Sequence, residues 1–292
     1  MGCDTLQHYD DYSSYNRLVA QDAIKTGKIK KKEGICVFGG QFLTIGKALV
    51  YSILPYIPKL QGDIKKSVQF LEQLGISPKS RIEDLNKHQV NLIERELEMK
   101  LWGEYLTVEN QEGILNYAFE HAQLLSIVGH DHPSKAFQIM GQRKVKAKYK
   151  NLYLEDIEKI IKNLNWFVKT KKNETKYSII VDFTNTPIEP NEWSDIGSFS
   201  SINRLYPPDK ILFIGGNIND FTAKFSVRCQ PEFIQKNKGI GVNIVIKEVC
   251  SYLGGSGGGH DLAGGMRIDS ALKDQLSESI DDIIESINNQ NL

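Results

Sequence analysis

The sequence predicts an α/β protein in two parts: a helical N-terminal and middle region over 1–170, then a compact α/β domain over 171–292. Three observations carry this. Apolar residues Ile157, Ile160, Ile161, Leu164 and Val168 recur at the helical period. After Thr170 short β-prone runs alternate with helical ones, the pattern of a layered α/β domain. Between the two lies the polar, charged stretch 169–176, which reads as a linker.

Taken in order, the first helix is expected over 13–29, capped by Ser13 or Ser14, with Leu18, Ala23 and Ile24 on one face. A short strand follows over 35–38, ended by Gly39-Gly40. Pro55 and Pro58 break the next apolar run into a turn-rich connection. A helix over 63–74 places Ile64, Val68 and Leu71 on one side and stops at Gly75. Further helices are expected over 82–102, 116–128 and 154–168. The second part reads as strand 177–183, helix 193–205, strands 211–214 and 221–228, helix 242–253, a glycine loop, strand 266–268 and helix 272–287. No internal repeat is visible.

Composition narrows the function classes. With 292 residues, 40% hydrophobic and 25% charged, the chain is ordinary globular material rather than disorder, collagen or a disulfide scaffold. Lys plus Arg and Asp plus Glu both total 36, so no global field holds it on nucleic acid or an anionic membrane. Any phosphate binding must come from local clusters. Cys3, Cys36, Cys229 and Cys250 lie far apart, as reduced thiols of an intracellular protein do. The first residues lack the apolar core of a signal peptide, and the longest apolar stretch, 48–60, is short and holds two prolines. The expectation is a cytoplasmic protein without a membrane span.

The richest motif is 254–265, GGSGGGHDLAGG, in which seven of twelve residues are glycine. Glycine lets successive backbone N–H groups point into one concavity and hold a phosphate, with His260 at its edge; it serves a structural turn equally well. In 221–228 the side chains alternate. Phe221, Ala223, Phe225 and Val227 face one way, and Thr222, Lys224, Ser226 and Arg228 the other. A solvated strand face has the same pattern. Beside a glycine nest it suits a nucleic-acid backbone.

Together, G-G-G-H-D-L-A-G-G and the preceding F-S-V-R resemble the C-terminal domain associated with DHH phosphoesterases, most closely that of archaeal RecJ-like proteins. The resemblance extends with gaps from Cys3-Asp4-Thr5-Leu6-Gln7 through 34–39, 47–52, 55–58 and 70–76 to about Ile268, and is weakest over 80–170. It implies that Ser226, Arg228, Gly257, Gly258, Gly259 and His260 hold a nucleic-acid phosphate. It also implies a catalytic domain upstream, with two divalent metals on aspartates and histidines. This sequence contains no D-H-H and no D-x-D, so the expectation is a remnant that has lost the catalytic core, with no cofactor and no metal site.

Three other stretches carry charge or metal-ligating residues. Gly129-His130-Asp131-His132-Pro133 offers two histidines around an aspartate, yet neighbours in sequence rarely converge on one ion, and a turn is the plainer reading. In 40–48 five residues, not four, stand between Gly40 and Gly46, and Lys47 precedes Ala48, which excludes a P-loop. Arg143, Lys144, Lys146, Lys148 and Lys150 form a basic run, either a solvated face or a salt-sensitive contact with DNA or an acidic partner.

The resemblance therefore implies a non-catalytic DNA replication factor. Such a RecJ-like scaffold is similar to the cell-division-cycle subunit that joins GINS and MCM in the CMG replicative helicase, with single-stranded DNA as a further partner. The alternatives are a metal-dependent single-strand exonuclease or phosphoesterase built on Asp4, Asp10, Asp11, His130 and His132, or one half of an enzyme whose DHH-bearing chain is separate.

Overall fold

A computed structural model describes residues 14–290. The chain divides into two compact units, Met1–Lys162 and Asn163–Leu292. Among the described residues, no helix is long and apolar enough to cross a membrane.

In the first unit the elements run α1 (Ser14–Lys25), β1 (Ile29–Ile35), α2 (Ile45–Ala48), α3 (Ile64–Gln73), α4 (Lys87–Leu97), β2 (Trp102–Val108), α5 (Ala118–Asp131) and α6 (Pro133–Met140), followed by α7 (Ala147–Lys169), which continues into the second. The core gathers Ile35, Val37, Ile45, Leu49, Leu71, Val90, Ile93 and Leu101. The helical expectation holds, with a two-stranded sheet inserted that the sequence reading missed.

Two corrections explain that sheet. The strand expected over 35–38 lies over 29–35. Its three consecutive lysines disguised it, because the strand is largely solvent-exposed and pairs antiparallel with β2. Lys30 pairs with Glu109 at 2.9 Å and Lys31 with Glu104 at 2.7 Å. The helix expected over 82–102 is a short 3₁₀ turn followed by α4, which Asn86 caps through a capping box with Gln89. It ends because Glu98 turns left-handed at φ 55°, and the Glu94 carboxylate accepts from Leu101 N and Trp102 N, each at 2.6 Å. That carboxylate launches β2 where helical periodicity seemed to continue. Pro133 starts the unpredicted α6 at its first position, where a missing N–H costs nothing. α7 begins seven residues earlier than the expected 154.

The second unit runs β3 (Asn173–Glu174), β4 (Ser178–Asp182), α8 (Trp193–Ile202), β5 (Ile211–Asn219), β6 (Thr222–Arg228), α9 (Pro231–Lys236), α10 (Val242–Leu253), β7 (Ser256–Gly259), β8 (Ala263–Asp269) and α11 (Lys273–Gln290). The strands form one six-stranded sheet in the order β3-β4-β5-β6-β8-β7, in which β4 and β5 are parallel and the other neighbours antiparallel. One face packs Phe213, Phe225, Val227, Met266 and Ile268 against Val245, Ile246 and Val249 of α10 and Ile280 and Ile284 of α11. The other packs Ile179, Val181, Leu212 and Ile214 against Trp193 and Ile196 of α8. Here the expected α/β domain stands. Two details change: Phe221 is 81% exposed before β6 rather than core, and the glycine segment is a hairpin rather than a loop.

Candidate phosphate-binding surface

Strand alternation divides β6 as the sequence suggests. Ala223, Phe225 and Val227 are buried toward α10, so Lys224, Ser226 and Arg228 face the α8 side. Close above them lies Gly197 of α8: a Cβ there would stand 3.3 Å from Arg228 Cγ and 3.6 Å from Ser226 Oγ. Ser194 and Ser198, one helical turn apart, flank that point of approach.

The Arg228 guanidinium is held by neutral oxygens. Nη1 donates to Ser226 Oγ at 2.9 Å, Val227 O at 2.8 Å and Gly264 O at 3.3 Å. Nη2 donates to Ser194 Oγ at 2.9 Å, Ser194 O at 3.2 Å and Ser198 Oγ at 3.2 Å, and Nε to Ser198 Oγ at 3.3 Å. Burial draws its proton affinity down, partly offset by Tyr206 and Asp195. Half-buried and hydrogen-bonded to neutral oxygens, with the Asp195 carboxylate acting on it only through space, it is a fixed cation whose attraction for an anion is partly unspent.

The glycine hairpin supplies the surface beside it. β7 is the edge strand, and registry places Ser226, Gly265 and Gly258 in one row across β6, β8 and β7. Directly opposed residues share a face, so this row lies on the α8 side. α8 packs over β5 and β6, leaving Gly265 and Gly258 exposed. A Cβ on Gly258 would meet nothing within 4 Å, and one on Gly265 only Phe225 O at 3.5 Å. The opposite face is full, since a Cβ on Gly264 would lie 2.6 Å from Ile246 Cδ1 and one on Gly257 2.7 Å from Ile246 Cγ2. Beside Arg228 the sheet is therefore bare backbone, open to a ligand.

The hairpin tip is pinned. His260 N donates to Ala263 O at 2.8 Å, Val242 N at the start of α10 to Asp261 O at 2.8 Å, and Cys229 N to Leu262 O at 3.1 Å. His260 itself is exposed at this tip. The structure thus brings together Ser226, Arg228 and Gly258, puts Gly257 against α10, and leaves Gly259 and His260 at the hairpin end. Because the segment is a strand, its N–H groups alternate across it instead of converging in a nest. Ser194, Ser198 and Gly265 were not foreseen. The serine pair at i and i+4 around a glycine was the available signal.

The remaining candidates lie in the first unit. Arg143, Lys144 and Lys146 precede α7, and Lys148 and Lys150 lie in its first turn. Arg143 pairs with Glu112 at 3.2 Å, while the ammonium groups of Lys148 and Lys150 lie 4.8 and 5.2 Å from the ring centroids of Tyr149 and Phe42. His130 and His132 sit at the α5–α6 junction. Among the described residues, no three His, Cys, Asp or Glu converge as a metal site would need. Asp4, Asp10 and Asp11, like the Cys3–Gln7 motif, lie outside the described residues.

Residues 191–289, which span α8 to α11, match the DHHA1 domain. The second unit therefore carries the DHHA1 likeness, over the same elements that build this surface. A crystal structure of CDC45 from Entamoeba histolytica is similar in fold, with a TM-score of 0.61 at 10% identity over 97% of this chain and 66% of that one. An uncharacterized protein of Methanocaldococcus jannaschii is 28% identical over 94% of this chain. The chain spans 60% of the length of that relative.

Proposed function

We propose that this chain is a non-catalytic scaffold of the replicative helicase, which binds a single-stranded DNA phosphate on the glycine-floored face and bridges GINS to MCM. The observation that carries the binding is the pairing of Arg228, held in place by hydrogen bonds to neutral oxygens, with the bare row Gly265–Gly258. A cation already desolvated and positioned gives up little on meeting a phosphate, whereas a mobile surface lysine must first be ordered. The fold likeness to CDC45 supports the replication role.

Holding a phosphodiester does not hydrolyse it. Cleavage needs an activated nucleophile and charge stabilisation at the leaving oxygen, and this sequence carries neither D-H-H nor D-x-D to hold the metal pair that would supply them. Incubated with manganese and single-stranded oligo(dT), the chain should bind without cutting. Arg228→Ala should weaken that binding by about 2 kcal/mol, roughly 30-fold, as loss of a charged hydrogen-bonding group does. Native pull-downs should recover GINS or MCM. Manganese-dependent cleavage by the isolated chain, abolished by His260→Ala, would overturn the non-catalytic reading. Recovery of a DHH-bearing chain instead would make it half of a split enzyme.

A further inference from the structure

We propose that Lys224 and Arg267 form a second phosphate position next to the Arg228 floor, so that the surface takes a polynucleotide strand rather than a lone phosphate or mononucleotide. This rests on the phosphate reading above and extends it to the class of ligand. Registry places Lys224, Arg267 and Ser256 in one row across β6, β8 and β7, immediately beside the Ser226–Gly265–Gly258 row. Two residues along a strand separate the rows by about 6.8 Å, a step that successive phosphates of an extended single strand can match.

Arg267 lies between the buried Met266 and Ile268, which face α10; alternation turns it to the open side, where it is exposed. No carboxylate pairs with it among the described residues. Lys224 donates from Nζ to Pro190 O at 3.1 Å, which anchors the ammonium and leaves two of its protons for a ligand.

A second observation is independent of position. Lys224 and Arg267 stand directly opposite each other on an antiparallel pair. Like charges so placed destabilise a sheet, and a solvated face gains nothing from them. An anion between the two reverses the sign of that interaction. One row further, Thr222 faces Asp269, whose carboxylate accepts from Ala271 N at 2.9 Å. The cationic track therefore spans two phosphates and stops.

The test is fluorescence anisotropy with labelled dT₁₂ over a salt titration, on the whole chain. Lys224→Gln and Arg267→Gln together should lower affinity about tenfold and flatten the log K against log salt slope by about 0.7, the value for one lost single-strand phosphate contact. Without DNA the same double variant should melt no lower than the wild type, because the like-charge pair is gone. Unlabelled dTMP should compete poorly, and the dinucleotide pdTpdT markedly better. If dT₁₂ binds, Arg228→Ala weakens it and the double variant leaves the slope unchanged, the second position is wrong and the first stands. If the wild type binds no dT₁₂, both readings fall.

Discussion

Each unit of the chain holds a conspicuous charge withdrawn from solvent, half-buried in one and fully buried in the other, and the two are treated in opposite ways. In the second unit Arg228 is gripped by seven hydrogen bonds to neutral oxygens and borders open glycine backbone. In the first, Glu120 of α5 is wholly enclosed. Its Oε1 accepts from Gly39 N at 3.0 Å and Gln41 N at 3.2 Å, while Oε2 finds no partner among the described residues. Each stands beside glycines, but those have different purposes. A Cβ on Gly40 would lie 2.7 Å from Ala48 Cα, so that glycine lets backbone pack on backbone; Gly258 faces nothing. Burial and hydrogen bonding are therefore shared between a structural clamp and a binding site. What separates them is access.

If Glu120 is a clamp, its protonation should register in stability alone, and this is the largest effect expected. Burial pushes its carboxyl from 4.5 up to about 7, against the pull of the Gly39 and Gln41 N–H groups. A carboxyl raised in the folded state binds its proton more tightly there than in the unfolded chain. Its contribution is thus fully present below pH 4.5 and is lost as pH rises to about 7. A shift of that size corresponds to about 3 kcal/mol at most. Urea midpoints measured between pH 5 and 8 should fall with pH in the wild type and flatten in Glu120→Gln, while dT₁₂ affinity stays unchanged. A Glu120→Gln variant that lost DNA binding would erase the distinction between the two charges.

The glycines sharpen the same contrast at somewhat smaller cost. Gly40→Ala forces a methyl against the Ala48 backbone and should destabilise by about 1–3 kcal/mol. Gly258→Ala, placed in open space, should move the melting midpoint little, within about 0.5 kcal/mol. Its effect should be on ligand: the methyl raises the floor beside Arg228 and weakens dT₁₂ binding without unfolding anything. Equal melting shifts in the two variants would count against the open floor.

How far the sequence reveals this depends on the range over which each feature is encoded. The alternation of β6 is local, and so are the bounds of α10, expected and observed over Val242–Leu253. β1 was hidden by Lys30, Lys31 and Lys32, because an exposed two-stranded ribbon needs no apolar alternation. The grip on Arg228 was harder still: Ser194 and Ser198 precede it by about thirty residues, and only the close approach at Gly197 makes them its partners. Glu120 carried no signal at all. On a helix it looks like any solvated acid, and its burial follows from how the loop after β1 folds over it.

The smallest effect is expected where the sequence shows the most charge. Arg143, Lys144, Lys146, Lys148 and Lys150 outnumber the cations of the sheet surface, yet none is organised as Arg228 is. Arg143 is 74% exposed and already paired with Glu112, and Lys148 and Lys150 lean on aromatic rings. Exposed, mobile cations are screened by salt and lose side-chain entropy on binding, so each returns little. Replacing Lys144, Lys146 and Lys148 together by glutamine should change dT₁₂ affinity by no more than about twofold at 0.15 M salt and stability by less than about 0.5 kcal/mol. A loss of tenfold or more would mean that the number of cations governs binding here, and that the fixed geometry around Arg228 does not.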